Sequence, residues 1–117
     1  MKIGPLTPDP EVSCPVTYCL SMIGGKWKPV ILYCLANDIQ RFGALQRAIP
    51  AVTKQMLTKQ LRELEQDGII SRTVFTQVPP RVDYALTQKG ESLMPVISMM
   101  KQWGQTQLDD LAAIDSQ

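Results

Sequence analysis

The hydrophobic period of this chain changes twice, and those two changes constrain its fold more than any other feature of the sequence. Up to Asp67 the apolar residues recur three and four positions apart, the spacing of one helix face. Between Ile69 and Thr76 the chain becomes rich in β-branched and aromatic residues, and Val82, Tyr84 and Leu86 then alternate with polar ones, which is strand periodicity. Beyond Thr87 the helical spacing returns. The class that fits is mainly α with one small β-hairpin, and 117 residues are expected to form a single domain.

Caps and breakers place the helices. Pro15 suits the first turn of a helix running to about Ile23, where Gly24-Gly25 stops it. A second helix opens near Trp27 to Pro29, carries Val30, Ile31, Leu32, Cys34 and Leu35, and ends at Asn37-Asp38. Phe42, Leu45 and Ile49 mark a third, closed by Pro50. Thr53 offers an N-cap hydroxyl to a fourth that runs to Asp67, with Gly68 where a left-handed C-terminal residue belongs. Leu57, Leu61 and Leu64 share its inner face. Val78-Pro79-Pro80-Arg81 connects the strands of the hairpin.

Thr87 is expected to cap a last helix whose apolar stripe is Leu93, Ile97 and Met100, flanked by Val96 and Trp103. Pro95 lies past its first turn and is expected to bend it. Leu108 and Leu111 carry the pattern into a segment with Asp109, Asp110 and Asp115. The domain core is therefore expected over about 14–104, with 1–13 as an N-terminal arm and 105–117 as an acidic C-terminal tail.

Composition removes several function classes. There is no histidine, which excludes imidazole acid/base catalysis, Ser-His and Cys-His nucleophile pairs, and zinc sites that need imidazole. Three cysteines are one short of an all-thiolate zinc site. No enzyme activity, metal or cofactor is expected. No apolar run approaches the roughly 20 residues that cross a bilayer, so no membrane is expected among the partners. Met1 to Ser13 carries prolines and acids instead of a basic start and an apolar stretch, so the sequence predicts a cytoplasmic protein whose cysteines are thiols.

The net charge of +1 hides a segregation. From Arg41 to Arg62 there are five basic residues (Arg41, Arg47, Lys54, Lys59, Arg62) and no acidic one. On the fourth helix, Gln55, Thr58, Lys59, Arg62 and Gln66 gather opposite the leucines, a face of donors without a carboxylate. Three helices followed by a hairpin is the order of a winged helix-turn-helix, here with an extra helix in front, so the fourth helix takes the place of the one that enters the major groove. A groove about 12 Å wide admits one helix, and Gln, Lys, Arg and Thr are the side chains that read base edges there. Thr53, Lys54, Gln55, Thr58, Lys59 and Arg62 are the candidate base-facing residues. Lys26, Lys28, Arg41, Arg47 and Arg81 are the candidate phosphate contacts.

The runs "GGKW", "RFGALQRAIPAVTKQMLTKQLRELEQDGII", "RTVFTQVPPRVDYALTQKG" and "LMPVISMMKQWG" resemble the HxlR-type winged helix-turn-helix regulators, relatives of the MarR class. The resemblance covers roughly Cys14 to Gly104, and the pairing of "LRELEQDGII" with "VPPRVDYALT" is specific. It implies a homodimer assembled through the first and last helices, binding an inverted-repeat operator on double-stranded DNA as a repressor or activator of nearby genes. It also implies that the recognition-helix positions are Thr53, Lys54, Gln55, Thr58, Lys59 and Arg62, with the wing tip at Pro79 to Arg81. One departure is Gly43-Ala44, where many members carry a polar and an acidic residue, and it makes the surface more positive.

Some members of that family sense electrophiles or oxidants through a cysteine just before the first helix, the position of Cys14. A thiol at a helix N-terminus can have its pKa lowered by the dipole, which favours the reactive thiolate; the bland alternative is a partly buried inert thiol. Cys19 and Cys34 read as core thiols, and Trp27 and Trp103 as packing residues, although an aromatic-lined pocket between subunits would also suit a small-molecule effector. Two other functions compete with DNA binding: a winged-helix protein-interaction module, and a thiol enzyme using Cys14, for which no histidine base exists.

Overall fold

Proline, glycine and threonine set the ends of the elements in the computed structural model, which describes residues 14–115. α1 (Pro15–Ile23) begins on Pro15, whose missing N–H is one of the donors a first turn leaves unpaired in any case. α2 (Lys28–Ala36) has Pro29 in its first turn for the same reason. The turn after α2 places Asp38 in the left-handed region at φ 64°, which a short polar side chain tolerates better than a branched one. α3 (Phe42–Ala48) then leads through Pro50 to Thr53. The Thr53 hydroxyl accepts the Met56 N–H at 3.1 Å and opens α4 (Lys54–Gln66). Gly68, at φ 74°, turns the chain out of α4, a conformation that costs glycine nothing.

β1 (Ile70–Phe75) and β2 (Arg81–Leu86) pair antiparallel, from Ile70 opposite Leu86 to Phe75 opposite Arg81. The base of this hairpin is fastened to the helices. Tyr84 N–H donates to the Gln40 carbonyl at 2.9 Å, and Arg41 forms an isolated bridge with Asp83, so the segment before α3 acts as a short third strand. Thr87 closes the other end: its hydroxyl donates to the Gly68 carbonyl at 2.6 Å and accepts the Gly90 N–H at 3.1 Å. A side chain at Gly90 would run into the Ile69 carbonyl, so glycine is what allows this close approach.

The core lies between α2, α3, α4 and the start of the hairpin. Ile31, Leu32, Leu45, Leu57, Leu61, Leu64, Ile69 and Ile70 are all essentially inaccessible to solvent. The three leucines of α4 meet this core as its four-and-three spacing requires. Trp27 packs against the core as expected, as does the half-buried Cys19, and Cys34 is buried within it. Burial pushes the Cys34 thiol pKa up from its ordinary value.

Three expectations need correcting. The last helix is not one bent helix but two, α5 (Gln88–Ser92) and α6 (Met94–Asp115). Pro95 has no N–H for the carbonyl four residues earlier, and its ring crowds that turn, so the chain breaks at Leu93 instead of bending. Leu93 N–H bonds back to Gly90, three residues away, and Ile97 N–H to Leu93 restarts the α pattern. Second, residues 105–115 of the expected acidic tail are the second half of α6, where Gln105 donates to Asp109 at 2.9 Å one turn on. Third, Trp103 is not a packing residue of the single chain, because 70% of its surface is exposed. The expected N-terminal arm, 1–13, lies outside the described residues, as do positions 116 and 117.

Candidate nucleic-acid interface

The outward face of α4 is built by elimination. Leu57, Leu61 and Leu64 hold one side in the core, so the residues about half a turn away must face out. Lys54, Gln55, Lys59, Arg62 and Gln66 are all exposed, together with the cap residue Thr53. Thr58 is half-buried, and its hydroxyl donates to the Lys54 carbonyl at 2.8 Å, so that hydrogen is already committed to the helix backbone. The two glutamates at the C-terminal end of α4 stand at the edges of this surface. Glu63 turns inward to Lys28, and Glu65 lines a pocket with Thr58 and Arg62.

The candidate phosphate contacts divide into three groups. Arg41, Arg47 and Lys26 are exposed, with the Lys26 ammonium 4.8 Å from the centroid of the Trp27 ring. Arg81 is held in place. Its Nε and Nη2 donate to the two oxygens of Asp83 at 2.9 and 2.7 Å, and its guanidinium lies 4.8 Å from the Phe75 ring centroid. That fork holds the Asp83 carboxyl below the usual aspartate range, with Arg41 adding a smaller pull in the same direction. Arg41 and Arg81 also line a common cavity of about 340 Å³ between the start of α3 and the tip of the hairpin.

Lys28 is the exception and must be withdrawn from the phosphate contacts. It is 7% exposed, and its ammonium sits 2.9 Å from the Glu63 carboxylate, joining the first turn of α2 to α4. An ammonium so enclosed is neutralised by its own protein. Sequence reasoning could not separate it from Lys26, because both flank the same helix start and only the packing of α4 decides which one is covered.

Two residues that the sequence reading passed over take part in this surface. Asp83 orders Arg81, and the sequence offered a signal in the alternation Arg81, Asp83 on one strand face. Arg72, on β1, lines the same pocket as Thr58 and Arg62, and no local pattern marks it out. Cys14 is the N-terminal cap residue of α1, as expected from Pro15, and is 4% exposed. All three cysteines are thiols. Among the described residues no cluster of histidine, cysteine or acidic side chains could hold a metal ion, and no helix is long and apolar enough to cross a membrane.

Comparison with known proteins agrees with this architecture. The family model for the HxlR-like helix-turn-helix matches residues 22–112. The HTH-type transcriptional regulator YybR of Bacillus subtilis (strain 168) is 47% identical over 103 residues, spanning 88% of this chain and 82% of that protein. Among solved structures, the redox regulator HypR in its oxidized form is 48% identical with a TM-score of 0.76, covering 80% of this chain and 96% of that one. HypR in its reduced form is 46% identical with a TM-score of 0.78, covering 85% and 98%. With a winged fold, an outward polar helix and a family model spanning most of its length, the chain belongs to the HxlR-like helix-turn-helix transcriptional regulators.

Proposed function

We propose that this regulator acts in the cytoplasm as a homodimer that binds an inverted-repeat operator on double-stranded DNA. The observation that carries the reading is the outward face of α4, where Gln55, Lys59 and Arg62 stand exposed while the leucines of the same helix are buried. Lys54, Gln55, Lys59 and Arg62 face base edges in the major groove, with Thr53 and Thr58 fixing the helix start and first turn. Arg41, Arg47 and Lys26 neutralise phosphates on either side, and Arg81, whose charge is already paired with Asp83, contributes a phosphate contact through its remaining N–H groups. α1 and α6 supply the dimer contact: Val16, Leu20, Met99, Trp103, Leu108 and Leu111 are more than half exposed in the single chain, and exposed large apolar side chains gathered on two helices are what an interaction surface presents.

A gel-shift titration against the DNA upstream of its own and neighbouring genes tests this. A band is expected at low salt, weakening steeply as salt rises, with a logarithmic slope of about 0.9 for each neutralised phosphate. No band at low salt overturns the reading, and a stable protein partner in its place favours an interaction module.

A redox or electrophile response through Cys14 is the second part of the proposal. It draws on the cap position of Cys14 and on the similarity to a structure titled redox regulator HypR. The burial of Cys14 favours an inert thiol. Treatment with an oxidant or a quinone is expected to release DNA from the wild type and not from Cys14→Ser; equal release from both removes the sensor role.

A further inference from the structure

The surface described above contains a second concavity. A pocket of about 190 Å³ opens between α4 and the hairpin, lined by Thr58, Arg62, Glu65, Arg72 and Tyr84. Thr58 and Arg62 sit one turn apart on α4, and Arg72 and Tyr84 are directly opposite each other across the two strands. Two consecutive elements, a helix and the strand that follows it, thus place two arginines on one small cavity. The ion pairs among the described residues are Lys28 with Glu63 and Arg81 with Asp83, so neither Arg62 nor Arg72 has a carboxylate within bonding distance, Glu65 included. Both arginines are exposed and unpaired within the protein, so the cavity they line offers a site to an anion from outside.

We infer that this pocket is an oxyanion site that takes one phosphate group. Guanidinium forks match the geometry of phosphate oxygens, and two of them approaching from different elements fix its orientation as well as its charge. The cavity is several times the roughly 30 Å³ that one water occupies in the liquid, room for a phosphate with part of its hydration. Its charge is selective. Two arginines against Glu65 leave a net single positive charge, the complement of a phosphodiester, whereas free phosphate carries about −1.5 to −2 at neutral pH. The favoured source is therefore the backbone of the DNA beside α4, and in this respect the inference rests on the DNA-binding reading. It changes one role within that reading: Arg62 holds the backbone together with Arg72, and base reading is left to Gln55, Lys59 and Lys54.

The test uses the full-length protein, a random-sequence duplex, and Arg72→Gln, Arg62→Gln and the double variant, each checked for an unchanged melting temperature. The logarithmic salt slope of binding is expected to fall by about 0.9 in Arg72→Gln and by no more than that in the double variant, because both side chains serve one phosphate; independent contacts would give about 1.8. Arg72→Lys, which keeps the charge, is expected to restore most of the slope. A parallel arm titrates inorganic phosphate against chloride at equal ionic strength. If the slope is unchanged but phosphate displaces the duplex from the wild type and not from Arg72→Gln, the site holds free phosphate and the oxyanion assignment stands with the other source. If slope and competition are both unaffected by Arg72→Gln, or if the double variant loses about 1.8, the one-phosphate site is overturned. Should the wild type bind no duplex at all, the DNA reading fails by itself, and calorimetric titration of inorganic phosphate into the wild type and Arg72→Gln still decides the pocket: heat lost in the variant supports it, and no heat in either overturns it.

Discussion

α4 and α6 are both long helices with apolar residues at helical spacing, and they point those residues in opposite directions. On α4 the leucines are at most 1% exposed and the polar side chains face solvent. On α6 only Ile97 is buried among the described residues, while Trp103 is 70% exposed and Leu108, Leu111 and Ile114 lie further along an uncovered stripe. The difference teaches which chemistry each helix offers to a neighbour. α4 is complete within one chain, and what it presents outward is hydrogen-bond donors and cations. α6 is incomplete within one chain, and what it presents is hydrocarbon, which water tolerates poorly and a second copy can cover.

The sharpest way to break this comparison is to truncate one apolar residue on each helix. Leu61→Ala is expected to cost about 2–5 kcal/mol of stability by leaving a cavity among the core leucines, read by denaturant titration. Trp103→Glu should leave the protomer's own core intact and instead weaken self-association by at least about 2 kcal/mol, roughly thirtyfold, as read by sedimentation equilibrium. If Trp103→Glu unfolds the chain as Leu61→Ala does, the contrast between the two helices is false. Next in size is Gln55→Ala, expected to cost about 1–3 kcal/mol on the operator and much less on unrelated duplexes, measured as a ratio of dissociation constants.

The smallest effect concerns the hairpin. The Asp83 carboxyl is held low by the fork from Arg81, so the charged form is favoured in the folded protein. The stability this provides is present above the ordinary aspartate pKa, about 3.9, and is lost as pH falls through the lower folded value. A small melting-temperature difference between wild type and Asp83→Asn is therefore expected at neutral pH and should vanish in acid; a difference that persists unchanged at low pH would assign it to packing instead.

Most of the secondary structure was legible because it is enforced locally. Pro15, Thr53, Gly68 and Thr87 each act within one turn, and each sits at the helix end its chemistry requires. Pro95 shows where local reasoning stops: the residue marks a disturbance, but whether a helix bends or breaks depends on how α5 docks against Ile69, which no neighbour of Pro95 encodes. The outward face of α4 was legible for the same reason as its buried face, since one fixes the other. Lys28 and Arg72 were not. Their roles come from contacts with Glu63, 35 positions away along the chain, and with the α4 pocket, whose residues belong to a different element, and periodicity within one element carries no information about either.

The hydrogen bond from Tyr84 to Gln40, with the bridge between Arg41 and Asp83 beside it, makes the hairpin a bracket bolted to the helical body. A protrusion held in this way at mid-strand swings less freely than a hairpin attached only at its ends. If α4 and Arg81 engage DNA as proposed, the reach between them works as a caliper of set span, and an extra base pair inserted beneath it is expected to be absorbed by distorting the double helix.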